Sequence, residues 1–469
     1  MAMRISRALS LSMCAALWSA CRVGPRYVRP PVDAPATFRG AAADSAHSAS
    51  LGEATWWNVF GDEELQKLIA EALGENYDVR VAAARILQAR AQLTITRADQ
   101  FPTVTANANA TGERTPATRQ GGFAIPASTQ ALYHVDATVA WEIDFWGKFR
   151  SATEAERATL LGTQWAARAV LVSVVDLVAQ GYFTLRELDL ELAIARRTLT
   201  ARQESLRLTR VAESGGTVSM LDVREAEQLA YTAESVITDT ERLITQQENA
   251  LSILLGRNPG PIPRGRPLVD QPEPPEVPAG LPSSLIERRP DIRQAEQTLI
   301  ASTARIGVAQ AALFPDITLT GTGGFQSNAL STLFSGPAAL WSISGGLVQQ
   351  IFNAGRLKAD IRLTEAEQLE FVYTYQQTVK QAFREVSDAL VGYQKTRELR
   401  RQLTELVAAT QDAARLSDIR YRGGVASYLE VLTSQTNSFN AELTLARGRL
   451  NELLALVQLY AALGGGWQQ

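Results

Sequence analysis

The sequence predicts an α+β fold, mainly α, made by duplicating one unit of helix, β-hairpin and long helical hairpin. Three observations carry this. The stretch VAESGGTVSMLDVREAEQ (211–228) recurs 208 positions later as IRYRGGVASYLEVLTSQT (419–436), setting Gly215-Gly216 on Gly423-Gly424, Ser219 on Ser427 and Asp222 on Glu430. Leu171, Val178, Leu185, Leu192, Leu199 and Leu206 recur every seven residues, as do Val372, Val379, Val386 and Tyr393, the period of a left-handed coiled coil. Four further stretches alternate apolar and polar residues with period two, the pattern of half-buried strands.

In chain order, residues 1–20 carry Arg4 and Arg7 followed by an apolar run from Ala8 to Trp18, a predicted signal peptide too short to span a membrane. Its Ser19-Ala20-Cys21 ending resembles a bacterial lipobox, with Trp18 where leucine is usual, which makes Cys21 the expected lipidation site; the alternative is ordinary cleavage nearby with an incidental cysteine. Residues 21–61, rich in Pro and small residues, read as an extended arm. The first repeat spans 62–256. It opens with a helix from Asp62 to about Asp99 that places Leu65, Leu68, Ile69 and Leu73 on one face.

A hairpin follows. Val104, Ala106, Ala108 and Ala110 alternate with polar residues, then a Gly/Pro/Thr-rich loop (111–130), then Tyr133, Val135, Ala137, Val139 and Trp141 alternate again. The second repeat (283–464) repeats the hairpin from Asp316 and through Trp341, Ile343, Gly345 and Leu347. Strands of this length and alternation match those of outer-membrane barrels. Four strands cannot close a barrel, and open edges are not tolerated in lipid, so a membrane location demands oligomerisation. The hairpins feed long helices, from about Lys148 to Glu213 and from Arg356 to Arg422. Gly-Gly tips return the chain into helices at 219–255 and 427–463. Ser219-x-x-Asp222 and Ser427-x-x-Glu430 both have capping-box spacing. A Pro-rich linker (257–282) joins the repeats, and 465–469 form a tail.

Charge is nearly balanced at −3, and without residues 1–20 it is −5, so nothing points to nucleic acid. His47 and His134 stand apart from any triad or metal pattern, and Cys14 and Cys21 are both near the N-terminus, so no catalytic constellation, cofactor or metal site is expected. No run of eighteen apolar residues follows the signal, so no membrane helix is expected.

LIERRPDIRQAEQTL (285–299) resembles the signature of the outer-membrane factors of tripartite efflux pumps, the OprM/NodT branch of the TolC-like proteins. Cys21 followed by VGPRYVRP, ARIGVAQAALFPDITLTGTGG (304–324), FNAGR (352–356), RYRGGVASYLEVL (420–432) and ALGGGW (462–467) agree in order, across essentially the whole mature chain. The resemblance implies a homotrimer sharing a twelve-stranded outer-membrane barrel and a periplasmic α-barrel. It implies a passive exit duct, anchored in outer-membrane lipid and served by an inner-membrane transporter through a periplasmic adaptor. By the same resemblance, Glu430 matches the first acidic position of the periplasmic gate. Tyr421 matches a tyrosine that hydrogen-bonds a neighbouring hairpin, with Asp222 its expected acceptor. Gly215, Gly216, Gly423 and Gly424 fall at the tips that meet the adaptor. Thr433 replaces the second acid of the family's namesake, and Ala426 replaces its latching arginine. Multidrug efflux is the leading reading. Export of protein or of metal uses the same architecture, but only Met220 follows the signal, against a methionine-lined metal path. A coiled-coil scaffold is the reading from another class.

Overall fold

The computed structural model describes residues 22–39, 59, 61–120, 122–271 and 282–465. The expected signal peptide, Cys21, most of the arm beyond residue 39, linker residues 272–281 and the last four residues lie outside them. Contacts divide the chain into two units: 1–30, 86–162 and 295–375 in one, and 31–85, 163–294 and 376–469 in the other.

The elements run α1 (Glu63–Glu75), α2 (Tyr77–Ala98), β1 (Thr103–Thr115), β2 (Thr118–Gln120), β3 (Phe123–Ile125), β4 (Ser128–Glu142), α3 (Lys148–Ser214), α4 (Met220–Leu254), α5 (Pro282–Arg288), α6 (Pro290–Ala311), β5 (Asp316–Ser327), β6 (Ala339–Val348), α7 (Arg356–Arg422) and α8 (Tyr428–Ala462). The two 67-residue helices, α3 and α7, each extend roughly 100 Å at 1.5 Å per residue. Three expectations are corrected. The single helix from 62 to 99 breaks at Asn76, where the backbone is extended. The Asn76 Oδ1 accepts from the amides of Asp78 and Val79, while Nδ2 donates 2.8 Å to the Leu254 carbonyl, so one side chain caps α2 and ties in the end of α4. The expected loop at 111–130 is largely strand: β1 runs on to Thr115, and β2 and β3 form a small ribbon. The linker contains a short 3-10 turn at Leu268–Asp270, and α5 begins within it at Pro282.

In the first unit, β1-β4-β5-β6 form one antiparallel sheet. The registers Val104↔Val139, Ala108↔Val135, Trp141↔Leu319, Gly321↔Ile343 and Ile317↔Leu347 put the alternating apolar residues of all four strands on one face. That face is bare: Trp341 is 80% exposed and Ile343 79%. The opposite face is polar, with Asp136 accepting from Thr138 (2.8 Å) and Asn107 (3.3 Å), and Thr138 bonded across to Thr322 at 3.1 Å. Among the described residues, neither β1 nor β6 has a partner on its outer side. The start of the arm is strapped to this unit. The Val23 amide donates to the Trp146 carbonyl (3.1 Å), and Arg22 reaches Ser151 (3.2 Å) and Glu154. Tyr27 and Arg29 both bond the buried Glu296. Gly24, at φ +127°, crosses α6 so closely that a Cβ there would sit 2.6 Å from the Gly307 Cα. The close approach accounts for glycine at both 24 and 307.

In the second unit, Leu65, Leu68 and Ile69 of α1 pack with Val174, Val178, Tyr182 and Leu185 of α3, Leu251 of α4 and Val457 of α8. The heptad residues Val178, Leu185, Val379 and Val386 are fully buried. One eighteen-residue window of α3 is apolar enough by composition to cross a membrane, a test that core helices also pass. A polar hub lies at the edge of this core. Asp62 caps α1 through Oδ1, and its Oδ2 accepts from Tyr182 (2.9 Å), the Arg266 amide (3.0 Å) and Gln271 (2.9 Å). Burial raises the Asp62 pKa, but these bonds outweigh it and hold the carboxyl below its usual range. Gly265 is obligatory here, since a Cβ would lie 2.2 Å from the Asp62 Oδ1. The ERRPDI signature serves as a stitch. Buried Arg289 donates to the Ala462 carbonyl at the end of α8 (3.0 Å), to Asp291 (2.6 Å) and to Glu385 (2.7 Å).

Candidate channel entrance at the helical tips

The two tips, both in the second unit, are built alike as far as the backbone goes. At the end of α3 the Gly216 amide donates to the Glu213 carbonyl (2.8 Å) and the Thr217 amide to Ala212 (3.0 Å). At the end of α7, Gly424 donates to Tyr421 (2.9 Å) and Val425 to Arg420 (3.0 Å). This is the Schellman stop, with Gly216 and Gly424 each at φ +73°. A Cβ on either would meet nothing within 4 Å, so handedness demands these glycines, not space. Gly215 and Gly423 have ordinary φ, and a Cβ there would make only ordinary contacts. The turn does not require them, and they leave the flank of each tip bare.

The side chains make the tips unlike. At the first, the Asp222 carboxylate accepts from the Ser219 amide and hydroxyl, both at 2.8 Å, and the capping box is complete. The second capping box is absent: Ser427 makes no side-chain cap bond. Glu430 is taken instead by Arg420, whose Nε lies 3.0 Å from Oε1. The position equivalent to Arg420 in the first repeat is Ala212, which offers no competing cation. Spacing alone does not reveal this competitor ten residues upstream; comparing the repeats position by position does.

Tyr421 is half-buried against Tyr428, the ring centroids 5.2 Å apart, beside Ala226, Leu206 and Leu229 of the first hairpin. Tyr428, equivalent to exposed Met220, is buried and its hydroxyl meets that of Ser205 at 3.2 Å. Within the chain no bond joins Tyr421 to Asp222, whose Oδ2 closes the capping box at its own helix start. The two are nonetheless near: burial, then the charge of Asp222, holds the Tyr421 hydroxyl above its usual pKa. Thr433 returns its hydroxyl to the Leu429 carbonyl (2.9 Å) and supplies no charge. Arg422 pairs with Asp418 (2.9 Å), and Arg210 and Arg224 share Glu227. The tips thus carry a few short polar links, each within its own hairpin, and a small apolar core joining the two hairpins. Cys21 lies outside the described residues, but its neighbour Arg22 is held beside Gly147, just past the end of β4.

Comparison with known proteins finds relatives over nearly the whole chain. The sequence pattern of the family described as "Outer membrane efflux protein" matches residues 68–257 and 281–465. The chain is 37% identical over 467 residues to the "Probable efflux pump outer membrane protein TtgC" of Pseudomonas putida, covering 98% of this chain and 96% of that one. It is 33% identical over 462 residues to the "Cation efflux system protein CusC" of Escherichia coli, covering 98% and 99%. The crystal structure of the open state of the Neisseria gonorrhoeae MtrE outer membrane channel superposes with a TM-score of 0.87 at 31% identity, covering 96% of this chain and 99% of that one.

Proposed function

The chain belongs to the outer membrane efflux protein family, and from this, with its unpaired sheet edges and twin tips, we propose how it works as an efflux channel. It is an outer-membrane exit duct with a periplasmic extension. Three copies join β1 to β6 around a shared barrel, their apolar faces in lipid and their polar faces on the lumen. The carrying observation is the four-stranded sheet that is bare and apolar on one face and open at both edges. Each unpaired backbone group left in hydrocarbon costs several kcal/mol, so only pairing with further copies makes the sheet tenable there.

The long helices carry the path into the periplasm, where a periplasmic adaptor docks on the tips and an inner-membrane transporter supplies the energy. Gly215 and Gly423, small without local need, suit close approach by adaptor helices. Glu430, Asp222 and Tyr421 sit where the entrance closes, and rearranging a few polar links of about 0.5–1.5 kcal/mol each biases a two-state gate. Cys21 carries the lipid anchor, a reading supported by its neighbour Arg22 lying against Gly147 and Ser151, just past the end of β4. The cargo is small organic compounds, a reading supported by two further Pseudomonas putida relatives, 37% identical over 467 residues, that are named as outer membrane proteins of an antibiotic and of a toluene efflux pump. The chain works as a passive duct and not as an enzyme. Cells lacking the gene, with its partner pump intact, are expected to accumulate a fluorescent pump substrate, and reintroducing the chain to restore efflux. Unchanged accumulation would contradict the reading.

A further inference from the structure

We propose that Arg420 sets the ion selectivity of the tips by holding Glu430 neutralised within its own hairpin. The inference rests on the reading of the tips as the periplasmic entrance. An acid at position 430 alone predicts an entrance that attracts cations, because uncompensated carboxylates gathered at a constriction favour cation passage. In this chain that charge is matched at 3.0 Å. Among the described residues the acid has no second side-chain partner: Ser427 makes no cap bond, whereas the equivalent Asp222 is held by Ser219.

The cation is specific to this tip, since Ala212 occupies its place in the first repeat. Other nearby cations are committed, Arg422 to Asp418, and Arg210 and Arg224 to Glu227. Helix dipoles do not require the pair. Arg420 lies in the last turn of α7 and Glu430 in the first turn of α8, so each suits its own helix end without the other. Both side chains are about half exposed, so the pair adds little to folding. Its consequence is electrostatic: losing Arg420 uncovers one carboxylate per chain.

The test uses the full-length protein in planar bilayers, reading reversal potentials in a KCl gradient for wild type, Arg420→Gln, Arg420→Lys, Glu430→Gln and the Arg420→Gln/Glu430→Gln double variant. Arg420→Gln is expected to shift the potential toward that of K⁺, with a several-fold rise in the K⁺/Cl⁻ permeability ratio. Glu430→Gln is expected to shift it toward Cl⁻. Arg420→Lys and the double variant are expected to match wild type. If Glu430→Gln shifts selectivity and Arg420→Gln does not, Arg420 is no counter-ion and the inference is overturned while the gate stands. If neither variant shifts it, the location of the gate is wrong, and the inference falls with it.

Discussion

The unlike chemistry of two tips with matching backbones makes a quantitative prediction. Asp222 and Glu430 occupy the same position of the repeat, and both lie in a first helical turn, where an acid contributes about 0.3–1 kcal/mol against the helix dipole. Only Asp222 also closes a capping box, through two bonds of 2.8 Å, adding about 1 kcal/mol. Asp222→Ala is therefore expected to weaken the start of α4 by about 1.5 kcal/mol, and Glu430→Ala the start of α8 by about 0.5 kcal/mol. In native-state hydrogen exchange, amides 219–223 are expected to open about tenfold more often in the first variant, and amides 427–431 about twofold more often in the second. Global melting would dilute such local effects in a chain this long. Equal acceleration at both tips would refute the reasoning, since it would mean that the two acids do the same work.

Asp62→Ala is expected to cost about 2–4 kcal/mol in denaturant unfolding, because it strands the buried Tyr182 hydroxyl and removes the acceptor of the Arg266 amide, while Gln271 keeps its bond to the Arg266 carbonyl. Tyr182→Phe, which leaves the acid with its other donors, is expected to cost about 1–3 kcal/mol. Burial and the adjacent charge of Glu191 push the Glu187 carboxyl up to about 8. The folded chain then holds a proton that the unfolded chain has released, so stability falls as pH rises from about 4.5 to 8, and Glu187→Gln is expected to flatten that slope in unfolding measured across the range. Ile343→Arg, on the apolar face of β6, is expected to cost about 2–4 kcal/mol in a membrane and to lower the amount recovered in outer-membrane fractions. Ser342→Arg, on the polar face of the same strand, is expected to be tolerated.

The large features were legible because they rest on periodicity. The period-two stretches gave strands whose apolar residues do share one face, and the seven-residue series gave helices with Val178, Leu185, Val379 and Val386 in the core. What sequence reading missed lies in single polar groups with distant partners. Asn76 sits within a continuous helical pattern, and its function as a joint needs the Leu254 carbonyl, 178 residues away. The hub of Asp62, Tyr182 and Gly265 draws on three separate segments, with Gly265 alone hinting at a tight approach. At the tips, spacing gave two capping boxes and the fold forms one, with Glu430 paired to Arg420 in place of the second.

As proposed above, this sheet closes only with copies of itself. The most direct test is the protein mass, by light scattering with the detergent contribution subtracted, of particles extracted from isolated outer membranes. Three chains per particle is the expected result. A single chain that stays in solution without detergent would contradict the account.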